Sequence, residues 1–377
     1  MKILFTGGGT GGHFYPIIAV AEEINRIARE EKLVDLEMFF MAPEPYNQGE
    51  LFNQNIVYKK TYAGKVRRYF SLMNLVDLVK TGWGIVHATW NVFLLYPDVV
   101  FGKGGYGSFP AILAARILRI PIVIHESDSA PGKVNAWAGK FADKVAVSYP
   151  DAAASFPAGK VAVTGNPVRR DIATPLTANA HEFLNLDPTI PTIFVIGGSL
   201  GARVLNEAVL EALPRLIDSY QIVHQTGERN IAEVKKIAAA IIGEKPHKDR
   251  YRPMPYLDPL QLRSAAGAAN LVVSRAGSTI FEIASWGVPS IIVPILNSNA
   301  DHQTKNAFAY ARSGAADVIE EPNLTGNILV AEVGRILGDP TKVEKMKAAA
   351  RAFYKGDAAQ VIAQALLSFA LKHEART

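Results

Sequence analysis

The sequence predicts an α/β protein made of two doubly wound, parallel-sheet halves, and three observations carry that expectation. Short apolar runs alternate with amphipathic helical stretches along the chain. Glycine-rich loops follow three of those runs, in KILFTGGGTGGH at 2–13, VVFGKGGYGSFP at 99–110 and IFVIGGSLG at 193–201. The pattern then restarts in mid-chain, after an irregular, proline-bearing stretch from Gly165 to Asp187 that reads as an interdomain linker. A length of 377 residues suits two cores.

The first element is the buried strand Ile3 to Phe5, which breaks into a loop where five of the next seven residues are glycine. Such a loop has little side-chain volume, so its N–H groups can approach a phosphate closely, and the following helix adds the positive end of its dipole. Pro16 reads as a first-turn residue of that helix, with Ile17, Val20, Ala21, Ile24, Ile27 and Ala28 at helical spacing behind it. His13 then stands at the junction of loop and helix. Gly7, Gly9 and Gly12 also satisfy the dinucleotide pattern GxGxxG, but that pattern wants an acidic residue closing the second strand. The second strand, Leu36 to Met41, runs instead into Ala42 and Pro43, with only Glu44 near, which disfavours NAD.

A polar loop follows, then Lys65, Arg67 and Arg68 open a long segment holding Tyr69, Phe70, Leu72, Met73, Leu75, Val76, Leu78, Val79 and Trp83. This set is too apolar to bury on one side of a single helix, so part of it is expected to be exposed and to meet an anionic membrane surface. The competing expectation is a core helix whose remaining apolar face is covered by a following helix near Trp90 and Phe93. The window Trp83 to Phe101 contains His87, Asn91, Pro97 and Asp98 and is not read as a membrane span. Asp98 to Phe101 forms the next strand and opens into the second glycine loop, in which Lys103 is left open between contacting a phosphate and solvating the loop. Pro121 to Ile124 is a further strand with His125, Glu126 and Asp128 at its carboxyl end, followed by Lys144 to Val147 and Val161 to Thr164. Ligands of open α/β sheets collect at those carboxyl ends.

The domain boundary is placed at Val168, giving domains 1–167 and 168–355, with 356–377 crossing back onto the first. In the second, Thr192 to Ile196 leads through GGSLG into a helix carrying Val204, Leu205, Val209 and Leu213, and further strands are expected at 221–224, 271–273, 290–293 and 317–319. The run SRAGSTIFEIASWGVP, 274–289, places a turn at Gly277, a capping hydroxyl at Ser278 or Thr279, and Glu282 one turn into a helix. A carboxylate there can accept from both hydroxyls of a ribose while the helix start receives phosphate oxygens. Alternatively Thr279 and Glu282 make a capping box. Asp301, His302, Gln303 and Asn306, within NSNADHQTKNA at 297–307, follow the next strand and suit a hydroxyl-rich ligand.

With no cysteine, disulfides and thiolate metal sites are excluded. The N-terminus has no apolar signal core, so cytoplasmic residence is expected. A net charge of +5 fits polyanionic ligands or an anionic membrane nearby.

GGTGGH at 8–13, GGYGSFPA at 104–111, HESDSAPG at 125–132, GNPVR at 165–169, GGSLGARVLN at 197–206, RAGSTIFE at 275–282 and DHQTKNA at 301–307 together resemble the MurG family of glycosyltransferases, family 28. The resemblance runs in order over roughly residues 1–335. It implies a GT-B fold, two Rossmann-like domains facing an interdomain cleft, and inverting transfer of GlcNAc from UDP-GlcNAc to the C4 hydroxyl of MurNAc on lipid I. Lipid II for peptidoglycan would result, at the cytoplasmic face of the plasma membrane, with peripheral attachment. The implied partners are UDP-GlcNAc, lipid I and the anionic membrane surface, together with other cell-wall synthesis proteins; nucleic acid is not among them, and neither metal nor cofactor is expected.

By position, Gly9, Thr10, His13, Gly104, Gly105 and Tyr106 would contact the acceptor. Thr10, Gly11, Gly12, Asp128, Arg169, Ser199, Leu257, Ser278, Thr279, Glu282 and Gln303 would contact the donor, with Leu257 by the uracil and Gln303 on the GlcNAc hydroxyls. His13 is the first candidate for general base, since an imidazole that titrates near neutrality can accept the C4 hydroxyl proton; Asp128 and Glu126 are the other catalytic candidates. The family usually reads HEQN where this chain has His125-Glu126-Ser127-Asp128, so a carboxylate replaces an amide at a sugar-contacting position. A UDP-GlcNAc epimerase, a diacylglycerol glycosyltransferase and a non-catalytic nucleotide-sugar binder are the rival readings.

Overall fold

The computed structural model describes residues 1–64, 73–198, 201–296, 298 and 301–374. The chain divides into two units, Met1–Arg169 with Lys355–Thr377, and Arg170–Tyr354. The first division falls after Arg169 rather than after Pro167, because Arg169 pairs with Glu50 of the first unit at 2.8 Å. The second falls before Lys355, whose ammonium donates to the Val163 carbonyl.

In the first unit, Lys2–Thr6 (β1), Glu37–Ala42 (β2), Ile56–Lys60 (β3), Val99–Gly102 (β4), Ile122–Glu126 (β5), Lys144–Val147 (β6) and Val161–Val163 (β7) form one parallel sheet in the order β3-β2-β1-β4-β5-β6-β7. Both faces are covered, as a parallel sheet requires. Ile3 and Phe5 bury against Ile17 and Ile24 of helix Gly11–Glu30 and against Ile362 and Leu366 of the last helix, Ala358–Glu374. Leu4, on the opposite face, buries with Val92, Ile112 and Ile124. Strand order reverses between β1 and β4, and Thr6 lies opposite Gly102, so the two glycine loops leave the sheet side by side at its switch point.

The second unit repeats the plan. Thr192–Ile196 (β8), Gln221–Gln225 (β9), Tyr251–Met254 (β10), Ala269–Ser274 (β11), Ser290–Ile292 (β12) and Ala316–Val318 (β13) run in the order β10-β9-β8-β11-β12-β13, with the switch between β8 and β11. Ile196 stands opposite Ser274, which again brings two loops together.

Four expectations need correction. Helix Gly11–Glu30 starts at the glycines, so Pro16 lies in its second turn and has no N–H to give the Gly12 carbonyl. The stretch 170–187 is not a bare linker: Ile172, Ala180, Leu184 and Leu186 are buried, and the Trp286 indole donates to the Ile172 carbonyl at 2.8 Å. Strands β3 and β10 were not anticipated. Both are edge strands; β3 exposes Val57, and β10 contains Pro253, which only an edge tolerates. Finally, Met73–Leu95 is one helix that includes Trp90 and Phe93, so no following helix there covers the apolar remainder. Lys65, Arg67, Arg68, Tyr69, Phe70 and Leu72 lie outside the described residues.

Candidate active site

The site of the first unit is built where β1, β4 and β5 end. The two glycine loops touch through their backbones, which is the physical reason for their composition. A Cβ on Gly105, whose φ is +78°, would come within 2.8 Å of the Gly8 carbonyl, and one on Gly8 within 3.2 Å of the Gly107 Cα. Gly9 lies under the Tyr106 ring, and Gly11 under the Tyr46 hydroxyl. Tyr46 was not singled out from sequence; nothing local to EPYNQGE signals that it returns to the first loop.

Thr10 is the N-cap of helix Gly11–Glu30 in extended conformation, and no side chain caps that helix start, which has no acidic residue in its first turn. The Thr10 hydroxyl instead meets His13 Nδ1 at 2.9 Å. That bond orients the imidazole, which is half-buried. Gly9, Thr10, Gly11, Gly12, His13, Gly104, Gly105 and Tyr106 therefore sit together on two adjoining loops.

At the end of β5, Glu126 is buried and holds the next turn in place. Its carboxylate accepts from Asp128 N (3.0 Å), Gly132 N (3.0 Å) and Asn135 Nδ2 (2.9 Å). Burial, then the Asp128 charge, push its pKa up. These bonds give Glu126 the task of shaping the Asp128 turn. His125 is buried and kept neutral, held well below the usual imidazole range by burial and by Lys103. Lys103 does not solvate its loop; it is 1% exposed and donates to Ser127 Oγ. Arg169 pairs with Glu50 and stacks its guanidinium 4.4 Å from the Tyr15 ring centroid.

In the second unit, Ser199 lies outside the described residues. Gln225 ties the neighbouring Gly198 carbonyl (3.1 Å) to the Leu257 N–H (3.3 Å), so the β8 loop and the 2%-exposed Leu257 are held by one side chain. Beyond β11, Ser278 is the N-cap of helix Thr279–Trp286 without a side-chain capping bond. The capping box of Thr279 and Glu282 is thus not formed, and Glu282 is a half-buried side chain in the helix's first turn. Asn306, on helix His302–Arg312, donates to the Ala276 carbonyl ahead of that turn (3.2 Å), and Gln303 accepts from Ile295 N (3.0 Å). The Gln303 amide is therefore anchored through its oxygen.

Behind β8 and β9 sits a buried network, His224 between the Tyr251 hydroxyl (2.9 Å) and Asn206 Oδ1 (3.0 Å). Burial pushes the His224 pKa down to about 3, whereas in the unfolded chain it titrates near about 6.5. Below that pH the unfolded state gains the proton and the folded state does not, so the stability present above about pH 6.5 is lost as pH falls toward about 3. The thermal midpoint is expected to drop between pH 7 and pH 5, and to drop less in His224→Gln; equal pH dependence in the two proteins would contradict this.

Comparison with known proteins follows the same division into halves. Residues 3–147 match the model for the glycosyltransferase family 28 N-terminal domain, and residues 192–364 that for its C-terminal domain. A Treponema denticola protein named UDP-N-acetylglucosamine--N-acetylmuramyl-(pentapeptide) pyrophosphoryl-undecaprenol N-acetylglucosamine transferase is 33% identical over 97% of both chains. Among solved structures, Acinetobacter baumannii MurG superposes with a TM-score of 0.72 at 26% identity, covering 97% of this chain and 99% of that one. Neisseria meningitidis UDP-GlcNAc 2-epimerase bound to UDP-GlcNAc gives 0.67 at 15% identity, over 98% and 100%, a likeness of fold alone.

Proposed function

We infer the activity from one premise: the chain belongs to glycosyltransferase family 28. It is an N-acetylglucosaminyltransferase that moves GlcNAc from UDP-GlcNAc to undecaprenyl-diphospho-MurNAc-pentapeptide, lipid I, in peptidoglycan synthesis. The observation that carries this is sequence agreement along both units with a transferase of that name. The site geometry suits it, since each sheet presents a glycine loop and a helix start at its switch point.

In this reading the first unit takes the acceptor through Gly9, Thr10, His13, Gly104, Gly105 and Tyr106. His13 removes the C4 hydroxyl proton as that oxygen attacks C1 of GlcNAc; UDP leaves, and inversion gives a β(1→4) bond. Donor contacts are assigned to Thr10, Gly11, Gly12, Asp128, Arg169, Ser199, Leu257, Ser278, Thr279, Glu282 and Gln303. Helix N–H groups and Arg169 take the diphosphate charge, so the reading calls for no metal. Arg169 must then share its guanidinium between Glu50 and a phosphate. UDP release that requires lipid I is the expected result; release without it, or conversion of UDP-GlcNAc to its C2 epimer, would favour the epimerase reading.

Attachment to the cytoplasmic leaflet is assigned to helix Met73–Leu95. Val79, Trp83, Val86, Trp90 and Phe93 recur every three or four residues and are exposed, Trp83 at 61% and Trp90 at 62%. Ala88 and Val92 are fully buried on the inward face. An exposed apolar stripe of this kind inserts at a membrane interface, and neighbouring cations add about 1 kcal/mol each on anionic lipid. No helix among the described residues is long and apolar enough to cross a membrane. Changing Trp83, Trp90 and Phe93 to Ser should abolish co-sedimentation with anionic vesicles, and changing Lys65, Arg67 and Arg68 to Ser should weaken it; wild-type binding by both variants would refute the assignment.

A further inference from the structure

Lys103 is a lysine buried to 1% exposure at the junction of three strand ends, with no part in the contacts assigned above. Its N–H donates to the Thr6 carbonyl at the end of β1 (2.8 Å), and its Cβ lies 3.3 Å from where a Cβ on Gly7 would be. Its ammonium donates to Ser127 Oγ, just past β5. One side chain therefore runs from beneath the first glycine loop to the turn that carries Asp128.

Among the described residues, the charges that act on its ammonium come from that one turn. Glu126 and Asp128 attract the ammonium, and His125, which burial and Lys103 push down, is held neutral. Burial first, and then repulsion from Asp128, raises the Glu126 pKa. A buried cation without compensating carboxylates is costly, and so are two adjoining carboxylates without a cation.

We propose that Lys103 is a positioning residue for glycosyl transfer, pinning the Ser127–Asp128 turn against the first glycine loop and supplying the counter-charge to Glu126 and Asp128. This rests on the proposed function, in which Asp128 contacts the transferred sugar. Burial lowers the Lys103 pKa to about 8 against the pull of Glu126 and Asp128, so the counter-charge is present at neutral pH and lost above about pH 8.

The test is the pH profile of kcat/KM for lipid I in the wild type, Lys103→Met and Ser127→Ala. The wild type should lose activity through an alkaline limb near pH 8. Lys103→Met should lack that limb, lose about tenfold or more at pH 7, and show its acidic limb about one unit higher, the shift that removing a nearby opposite charge ordinarily produces. Ser127→Ala keeps the cation and should retain both limbs with a smaller loss. UDP affinity, read by calorimetry, reports that the variants are folded. A wild-type profile flat through pH 9 overturns the proposal even if Lys103→Met does not fold, and so does a folded Lys103→Met with the wild-type profile. Absence of transfer in the wild type would instead overturn the activity on which the proposal rests.

Discussion

His13→Ala should lower turnover by about 10²-fold or more, the usual contribution of a positioned general base, while UDP affinity stays close to that of the wild type. In the tautomer that donates Nδ1–H to the Thr10 hydroxyl, at 2.9 Å, the lone pair is on Nε2, and that nitrogen is the one able to accept a proton. Thr10→Ala loosens the ring without removing it and should cost less. Rapid-quench measurement of the chemical step in both variants separates loss of the base from loss of substrate binding. If a folded His13→Ala kept most of its turnover, the base would have to be sought at Asp128.

Glu282→Ala should weaken UDP binding by one or two charge-assisted hydrogen bonds, about 1.5–3 kcal/mol each, or roughly tenfold to a hundredfold per bond. The helix Thr279–Trp286 starts at Ser278 without a capping bond, and Glu282 sits half-buried in its first turn rather than closing a capping box. A carboxylate in that place can accept both ribose hydroxyls, whereas deoxyuridine diphosphate offers it only one. The mutant should therefore also discriminate less between UDP and its 2′-deoxy analogue. Unchanged affinity for UDP in a folded mutant would remove Glu282 from the donor site.

What was legible in the sequence follows from which contacts are local. Interior strands such as β1 and β8 read directly, because a strand buried on both faces is a continuous apolar run. The glycine loops were legible too, since Gly8 and Gly105 meet where no Cβ fits. Edge strands β3 and β10 carry charged or proline residues and lack that signature. Lys103 could not be placed from its own segment; its burial depends on Ser127, Glu126 and Asp128, more than twenty residues on. The same holds for Tyr46 over Gly11, and for Arg169, whose partner Glu50 is 119 residues away. The capping box is a sound local alternative, and only the observed helix start at Ser278 distinguishes it from a half-buried carboxylate placed for a ligand.

Helix Met73–Leu95 shows the same limit from the other side. Its composition announced more apolar surface than one face could bury, but which residues stay outside depends on the neighbouring helix Phe109–Ile117 and on Tyr62, whose carbonyl would lie 1.7 Å from a Cβ at Gly84. Gly84 and Ala88 let the helix sit close on that side, and the tryptophans face away.

The transfer itself is read by incubating the protein with UDP-[¹⁴C]GlcNAc and lipid I and identifying the labelled product. Label is expected in a lipid-extractable disaccharide, GlcNAc joined to MurNAc, formed in step with UDP and only when lipid I is present. Label that stays water-soluble, as free sugar or as an epimerised nucleotide sugar, would contradict it.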